Sequence, residues 1–359
     1  MKILLAYPGH HFSTYDVAHG YEKALETMGH DVCVFDYHNR LGLWAELLIA
    51  HDERHEKESR RYKPMSTASN LSLLASEGII LEAVEFVPDV VLVVNGLQLH
   101  RKAYDYLRRL SLPVVLLLTE SPYLDADQAV VAKKGHAVAV LTNDKASVKT
   151  LHEETGLPVN YLPHSYDPDI HLPRPGLKGN RHFGSDVFFH GTLWPDRVDT
   201  LMPLAELMDD YNIEIGGVNP DWSDGTDVGE MLPNRELAQH YAGTSIAINH
   251  HRTVIGSNGD GPTHIKNGDA WSIGPRAFEI PACGAFQLCD NTRPELVEVF
   301  GDSVATYSDG EDLLDKVKYY LVNEAERLEM AEAALDKVEP CTFENRARDI
   351  VIPTITEVI

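Results

Sequence analysis

A twice-run alternation of short Val/Leu-rich stretches with helix-length amphipathic segments constrains this chain more than any other feature. Residues 2–7 read as a strand, 15–28 as a helix and 31–37 as a strand, and the rhythm continues through strands at 89–94, 113–119, 137–142 and 159–162. Nearly unbroken apolar strands separated by helices require a parallel sheet covered on both faces. A Pro/Gly-dense stretch at 173–180 predicts a linker. Beyond it come strands at 186–190, 213–216, 245–249, 285–289 and 304–307, with helices at 197–208, 236–241, from Pro275, at 294–300 and through Val338. The expectation is an α/β chain of two Rossmann-like, doubly wound domains, 1–172 and 181–341, with the helical segment 342–359 packing back onto the first. A charged interruption at 50–67 predicts a solvated helix face and an exposed loop.

The 359 residues suit two separate interiors. A net charge of −24 argues for solubility and against polyanionic partners unless a local basic patch exists, yet an anionic nucleotide needs only a few cations and backbone amides. No apolar run approaches the roughly 20 residues that span a bilayer, and the apolar start at 3–7 is too short for the core of a signal peptide. A cytoplasmic protein without membrane insertion is expected. Four scattered cysteines, with no CxxC pair, predict packing thiols rather than a disulfide framework or a zinc site.

Open α/β sheets bind ligands beyond the carboxyl ends of their strands, so the loops there hold the candidates. The first strand runs into Pro8-Gly9-His10-His11, which is not a GxGxxG fingerprint; His10 and His11 are candidates for a general base or a hydroxyl ligand, or else cap and pack. Glu120, after the strand at 113–118, either hydrogen-bonds an acceptor hydroxyl or favours a helix dipole. In His190-Gly191-Thr192-Leu193-Trp194-Pro195-Asp196-Arg197, the turn at Gly191 and Thr192 with Arg197 could clamp a diphosphate. The strongest signal is Ser272-Ile273-Gly274-Pro275-Arg276-Ala277-Phe278-Glu279. Pro275 suits the first helical position, Ser272 and Gly274 shape a helix start open to phosphate, Arg276 adds charge, and Glu279 could accept both hydroxyls of a ribose. The competing structural reading pairs Arg276 with Glu279 as an i,i+3 bridge.

The run Arg276-Ala277-Phe278-Glu279-Ile280-Pro281-Ala282-Cys283-Gly284-Ala285-Phe286, followed by Asp290, Arg293-Pro294-Glu295-Leu296 and Tyr319-Tyr320-Leu321, resembles the C-terminal half of the CgeB-like spore-maturation glycosyltransferases of the GT-B superfamily. The likeness extends to Leu118-Thr119-Glu120-Ser121-Pro122-Tyr123, Leu141-Thr142-Asn143-Asp144, Leu162-Pro163-His164-Ser165-Tyr166-Asp167-Pro168, Gly191 with Arg197, and Thr342-Phe343-Glu344-Asn345-Arg346-Ala347. The resemblance implies two Rossmann-like lobes facing across a cleft, acceptor on the first and nucleotide-sugar on the second, and no essential metal or other cofactor. It implies hexosyl or pentosyl transfer, with retention the expected course, to a glycan, a surface or coat component or a modified nucleic-acid base. Glu279 would hold the ribose and Arg197 the diphosphate. The earlier acid of an E-x7-E pattern falls at Trp271, which leaves the contact to the donor sugar unassigned, with Asp269 as a substitute. Asp167-Pro168-Asp169 matches DxD by letters but falls in the interlobe linker. A nucleotide-sugar epimerase and a non-catalytic coat or assembly module of the same fold are the alternatives.

Overall fold

The computed structural model describes residues 1–7, 13–56, 62–133, 137–218, 231–252, 254–255, 263–264 and 270–359. The chain forms two compact units, Met1–Pro163 with Phe343–Ile359, and His164–Thr342.

The first unit is built on six parallel strands, β1 (Lys2–Ala6), β2 (Asp31–Phe35), β3 (Val90–Val94), β4 (Val114–Leu118), β5 (Ala139–Thr142) and β6 (Val159–Tyr161). They lie in the order β2-β1-β3-β4-β5-β6. Side chains alternate between the two faces of a strand, and both faces here are apolar. Leu4, Val91, Val93 and Leu116 pack with Ala75, Ile79 and Leu107 on one side. Ile3, Leu5, Leu92 and Leu117 pack with Tyr21, Leu25, Phe343, Val351 and Ile355 on the other. The C-terminal segment is therefore part of this core. Phe343 meets Tyr21 edge-on, with ring centroids 5.1 Å apart. Gly20 makes the fit possible, since a Cβ there would stand 2.4 Å from the Phe343 ring.

The charged interruption is more ordered than a solvated face requires. Helices cover Tyr37–Glu56 and Ala68–Phe86. Asp52 is buried, accepting the Met65 N–H at 2.9 Å, the Ser66 N–H at 2.8 Å and the Tyr62 hydroxyl. Its carboxylate ties the end of one helix to the approach of the next.

The second unit holds a parallel sheet of β7 (Val187–His190), β8 (Ile213–Gly216), β9 (Ile246–Asn249), β12 (Phe286–Asp290) and β13 (Ala305–Tyr307), in the order β13-β12-β9-β7-β8. Between β9 and β12, Val254–Ile255 (β10) and Thr263–His264 (β11) form a short antiparallel pair. The helix expected over 197–208 is α-helical at Pro195–Leu201 and 3₁₀ at Met202–Leu207. Pro203 accounts for the change, because it lacks an N–H and crowds the carbonyl four residues back.

The division between units falls before the Pro/Gly-dense stretch, not within it. Tyr166 donates its N–H to the Cys341 carbonyl and packs with Phe278 and Val338, while the Lys178 ammonium donates to the Thr244 carbonyl. Residues 164–180 are thus held to the second unit by contacts far apart in sequence, which composition does not register.

Removing the Phe343 ring should leave a cavity beneath the first sheet. Phe343→Ala is expected to destabilise this unit by about 3–5 kcal/mol, read from the midpoint of denaturant unfolding. A loss below about 1 kcal/mol would mean that the C-terminal segment does not close this core.

Candidate active site

In both sheets the chain leaves its first strand to one side and then crosses to the other, which opens a crevice at the carboxyl ends: between β1 and β3 in the first unit, between β7 and β9 in the second. Residues 8–12, which include His10 and His11, lie outside the described residues. At the neighbouring strand ends, the Asn95 amide donates to the Thr119 hydroxyl at 3.1 Å and the Asn143 amide to the Thr119 carbonyl at 3.1 Å. Half-buried Glu120 follows Thr119 directly, at the carboxyl edge of the sheet where its spacing put it.

In the second unit, β7 ends in His190 and turns at Gly191. The Gly191 N–H donates to the Gly216 carbonyl at 3.0 Å. A Cβ on Gly217, which has φ 138°, would lie 1.7 Å from the Gly191 oxygen, so only glycine permits this approach. Arg276 fills the space over Gly191: a Cβ there would be 2.6 Å from one terminal guanidinium nitrogen and 3.0 Å from the other. Arg197 reaches the same place from the following helix. It is 8% exposed, donates from Nη1 to the Thr192 carbonyl at 3.0 Å, and its buried Nε has no hydrogen-bond partner among the described residues. Burial, and then the charge of Arg276, push the Arg197 guanidinium down to about 10. Neither arginine forms an ion pair among the described residues. The fold therefore holds two cations against each other with no anion in contact.

Glu279 does not bridge to Arg276. Its carboxylate, mostly buried, lies 3.9 Å from the His171 Nε2, which also contacts the Asn234 side-chain oxygen at 3.2 Å. Ser272 is buried, and Gly274 is half-buried with nothing within 4 Å of where a Cβ would stand. The helix carrying Arg276 spans Arg276–Ala282, with Pro275 at its N-cap instead of the first helical position. Helix ends shift by a residue with the criterion, and Pro275 already has helical angles. Asp269 lies outside the described residues. The Asp167 carboxylate accepts the Asp169 N–H at 2.9 Å in an Asx turn.

Sequence reasoning passed over the carboxyl end of β9, although two adjacent histidines after an apolar strand were a readable signal. His250 Nδ1 lies 2.8 Å from the Tyr307 hydroxyl, which donates to the Asn249 carbonyl at 3.2 Å. His251 Nδ1 lies 2.8 Å from Asp290 Oδ2, and the same oxygen accepts the His251 N–H at 2.5 Å. Burial alone would raise the Asp290 carboxyl, but His251, His250 and the Thr292 hydroxyl hold it far below the usual carboxylate range. Arg293 is buried and donates to the Arg252 carbonyl at 2.6 Å, while Glu295 accepts the Ile273 N–H at 2.8 Å and so anchors the approach to Gly274.

His251, Cys289 and Asp290 place ligand atoms within 4.8 Å of one another, as a metal would require. Burial and the charge of Asp290, however, push the Cys289 thiol well above its ordinary value. His251 Nδ1 also lies 3.7 Å from the Cys289 Sγ, so the three side chains form one hydrogen-bonded network. Cys283, Cys289 and Cys341 are buried and free, and Cys33 is half-buried and free.

Residues 197–351 match the model of a family described as glycosyl transferase-like. The spore protein CgeB of Bacillus subtilis is 25% identical over 284 residues, 74% of this chain and 82% of that protein. The fold is that of sucrose-phosphate synthase from Thermosynechococcus elongatus, with TM-score 0.67, 12% identity and 99% of each chain covered. It is also that of Anabaena HepE in complex with UDP-glucose, with TM-score 0.60, 14% identity and 99% and 100% covered. The fold is GT-B, and residues 197–351 are similar to a glycosyl transferase-like family. Similarity to the spore protein CgeB over 74% of the chain thus stands beside the motifs, and the match to the family model begins at Arg197. No helix among the described residues of this GT-B chain is long and apolar enough to cross a membrane.

The site makes one prediction about pH. Burial, with Arg276 and His240 adding to it, pushes His190 down to about 4, and its Nε2 accepts the Leu232 N–H at 3.1 Å, which requires the neutral ring. His164, held at about 4 by burial and His251, acts with the same sign. Between pH 6.5 and 4 the unfolded chain binds protons that the folded one refuses, so stability is complete above about 6.5 and is lost as pH falls toward 4. In His190→Gln the drop in unfolding free energy between pH 7 and pH 5 should be smaller than in the wild type. An equal drop in both proteins would show that His190 does not titrate in this way.

Proposed function

We propose that the protein transfers a sugar from a nucleotide diphosphate-sugar, held at the carboxyl edge of the second sheet, to a hydroxyl acceptor. The reading rests chiefly on the paired guanidinium groups of Arg197 and Arg276 above Gly191, one buried and neither in an ion pair among the described residues. Like charges so placed repel, and a diphosphate between them converts that repulsion into attraction. Its charge grows as the glycosidic bond to the sugar breaks, so both contacts strengthen toward the transition state. Gly191 and Thr192 bring backbone to the phosphates, Ser272 and Gly274 line the opposite approach, and Glu279 accepts the ribose hydroxyls. Charge compensation by arginine assigns no essential role to a metal.

The first unit takes the acceptor, with Glu120 accepting a hydrogen bond from its hydroxyl. The acceptor class is a glycan, a surface or coat component, or a modified nucleic-acid base. Under a retaining course no dedicated protein base is needed; under an inverting one His10 or His11 takes the proton. Similarity to a spore protein supports a coat or surface component as one of these acceptors.

In EDTA-containing buffer the wild type is expected to turn over. Arg276→Ala should lower kcat by about 10²-fold and weaken donor binding, with Arg276→Lys recovering only part, because Lys supplies a point charge without the two-pronged fork. Normal kinetics in a less stable Arg276→Ala protein would reduce the arginine to a structural part. Bound nucleotide-sugar that is neither hydrolysed nor transferred would instead favour a non-catalytic module.

Glu279→Ala should weaken nucleoside diphosphate binding by about 1.5–3 kcal/mol, the scale of a hydrogen bond to a charged group. Calorimetric titration with the uridine, guanosine, adenosine and thymidine diphosphates reads it directly. Unchanged affinity in the folded variant would remove Glu279 from the ribose.

A further inference from the structure

We infer that His251, held by Asp290, is the residue that contacts the sugar of the donor: its Nε2 accepts a hydrogen bond from a sugar hydroxyl. The inference rests on the nucleotide-sugar reading above and supplies the sugar contact that the residue at Trp271 does not.

The geometry is a carboxylate–imidazole pair locked from behind. Both bonds from His251 to Asp290 use the same carboxylate oxygen, one from the backbone N–H at 2.5 Å and one involving Nδ1 at 2.8 Å. The other oxygen accepts the Thr292 N–H at 3.1 Å and the Thr292 hydroxyl. Asp290 thus cannot swing away, and an ionised carboxylate opposite Nδ1 requires the proton to sit on Nδ1. In the neutral ring the lone pair is then on Nε2. That atom is buried and has no hydrogen-bond partner among the described residues. A buried acceptor without a donor costs free energy that a ligand hydroxyl would restore.

Position connects this atom to the donor. His251 follows β9 and Asp290 ends β12, so the pair occupies the sheet edge beside the β7–β9 crevice. The charge of Asp290 acts on Arg197, which places the pair within electrostatic reach of the proposed diphosphate site. As an acceptor, Nε2 of the neutral ring suits a sugar hydroxyl and not a phosphate, which offers it no proton. Sugar and diphosphate recognition are thereby divided between neighbouring groups of opposite hydrogen-bonding character.

The division gives a differential test. Calorimetric titration compares the wild type, His251→Phe and His251→Gln with the uridine, guanosine, adenosine and thymidine diphosphates and with their glucose esters. In His251→Phe, affinity for the preferred glucose ester should fall roughly tenfold to a hundredfold while affinity for the matching diphosphate stays within about twofold. His251→Gln, whose side-chain oxygen can accept, should recover part of the loss. The retained diphosphate affinity doubles as the folding control. Should His251→Phe bind ester and diphosphate as the wild type does, or lose both equally, His251 has no sugar contact while the nucleotide site stands. Failure of the wild type to bind any diphosphate or ester would overturn the donor reading and this inference together. As a second readout, the Nε2 nitrogen resonance of His251 should shift on adding the glucose ester but not the diphosphate. A shift of equal size with both would place the atom at the nucleotide instead.

Discussion

The two large sheets are parallel and apolar on both faces, and the polar chemistry of each unit is arranged around that constraint. A strand such as β3 or β4, with every residue buried, can offer no side chain to a ligand anywhere along its length. Polar chemistry is displaced to the strand ends, where the backbone turns and helices begin. The crossing of the chain between β7 and β9 then decides which end is open. His190, Gly191, His250, His251 and Asp290 all stand at that end because the strands bearing them are aligned in parallel.

Electrostatics at this edge runs against the chain as a whole. The protein carries a net charge of −24, yet the β7 end gathers two arginines, of which Arg276 lies close enough to depress Arg197 and His190. Such an arrangement costs stability in the absence of an anion, and it persists because the surrounding packing holds it. Glycine is central to the packing. Gly217 allows the β7 and β8 turns to touch through backbone, and the bare Cα of Gly191 leaves room for the Arg276 guanidinium. The Asp290–His251 pair beside them has the opposite character, a carboxylate whose charge is absorbed by hydrogen bonds and an imidazole whose Nε2 has no hydrogen-bond partner among the described residues.

Much of this was written in the sequence. The Val/Leu runs specified the strands because a parallel strand buried on both faces has no other composition, and the loops at Gly191 and Gly274 were found as turns that end such strands. Arg197 and Arg276 were legible as cations opening two helices. Asp52 was not legible: a carboxylate within a charged run looks solvated, and only the return of the Met65 and Ser66 amides makes it a buried cap. Nor was the unit boundary, because the Tyr166 and Lys178 contacts that hold residues 164–180 join positions 66 or more residues apart.

The sequence by itself determined the class of fold, the strand ends and the residue types available there, since burial and periodicity are local properties of a chain. Tertiary structure alone decided which of those residues meet. Arg197, in the helix after β7, and Arg276, opening the helix that follows β9, come together because β7 and β9 are parallel neighbours, and Glu279 turns toward His171 rather than toward Arg276, its neighbour one helical turn away. His251 became a candidate ligand only once Asp290, 39 residues later, was seen to hold its ring. Pairings of this kind depend on the order in which strands assemble, and strand order is fixed by the summed packing of both faces of the sheet, which no single segment encodes.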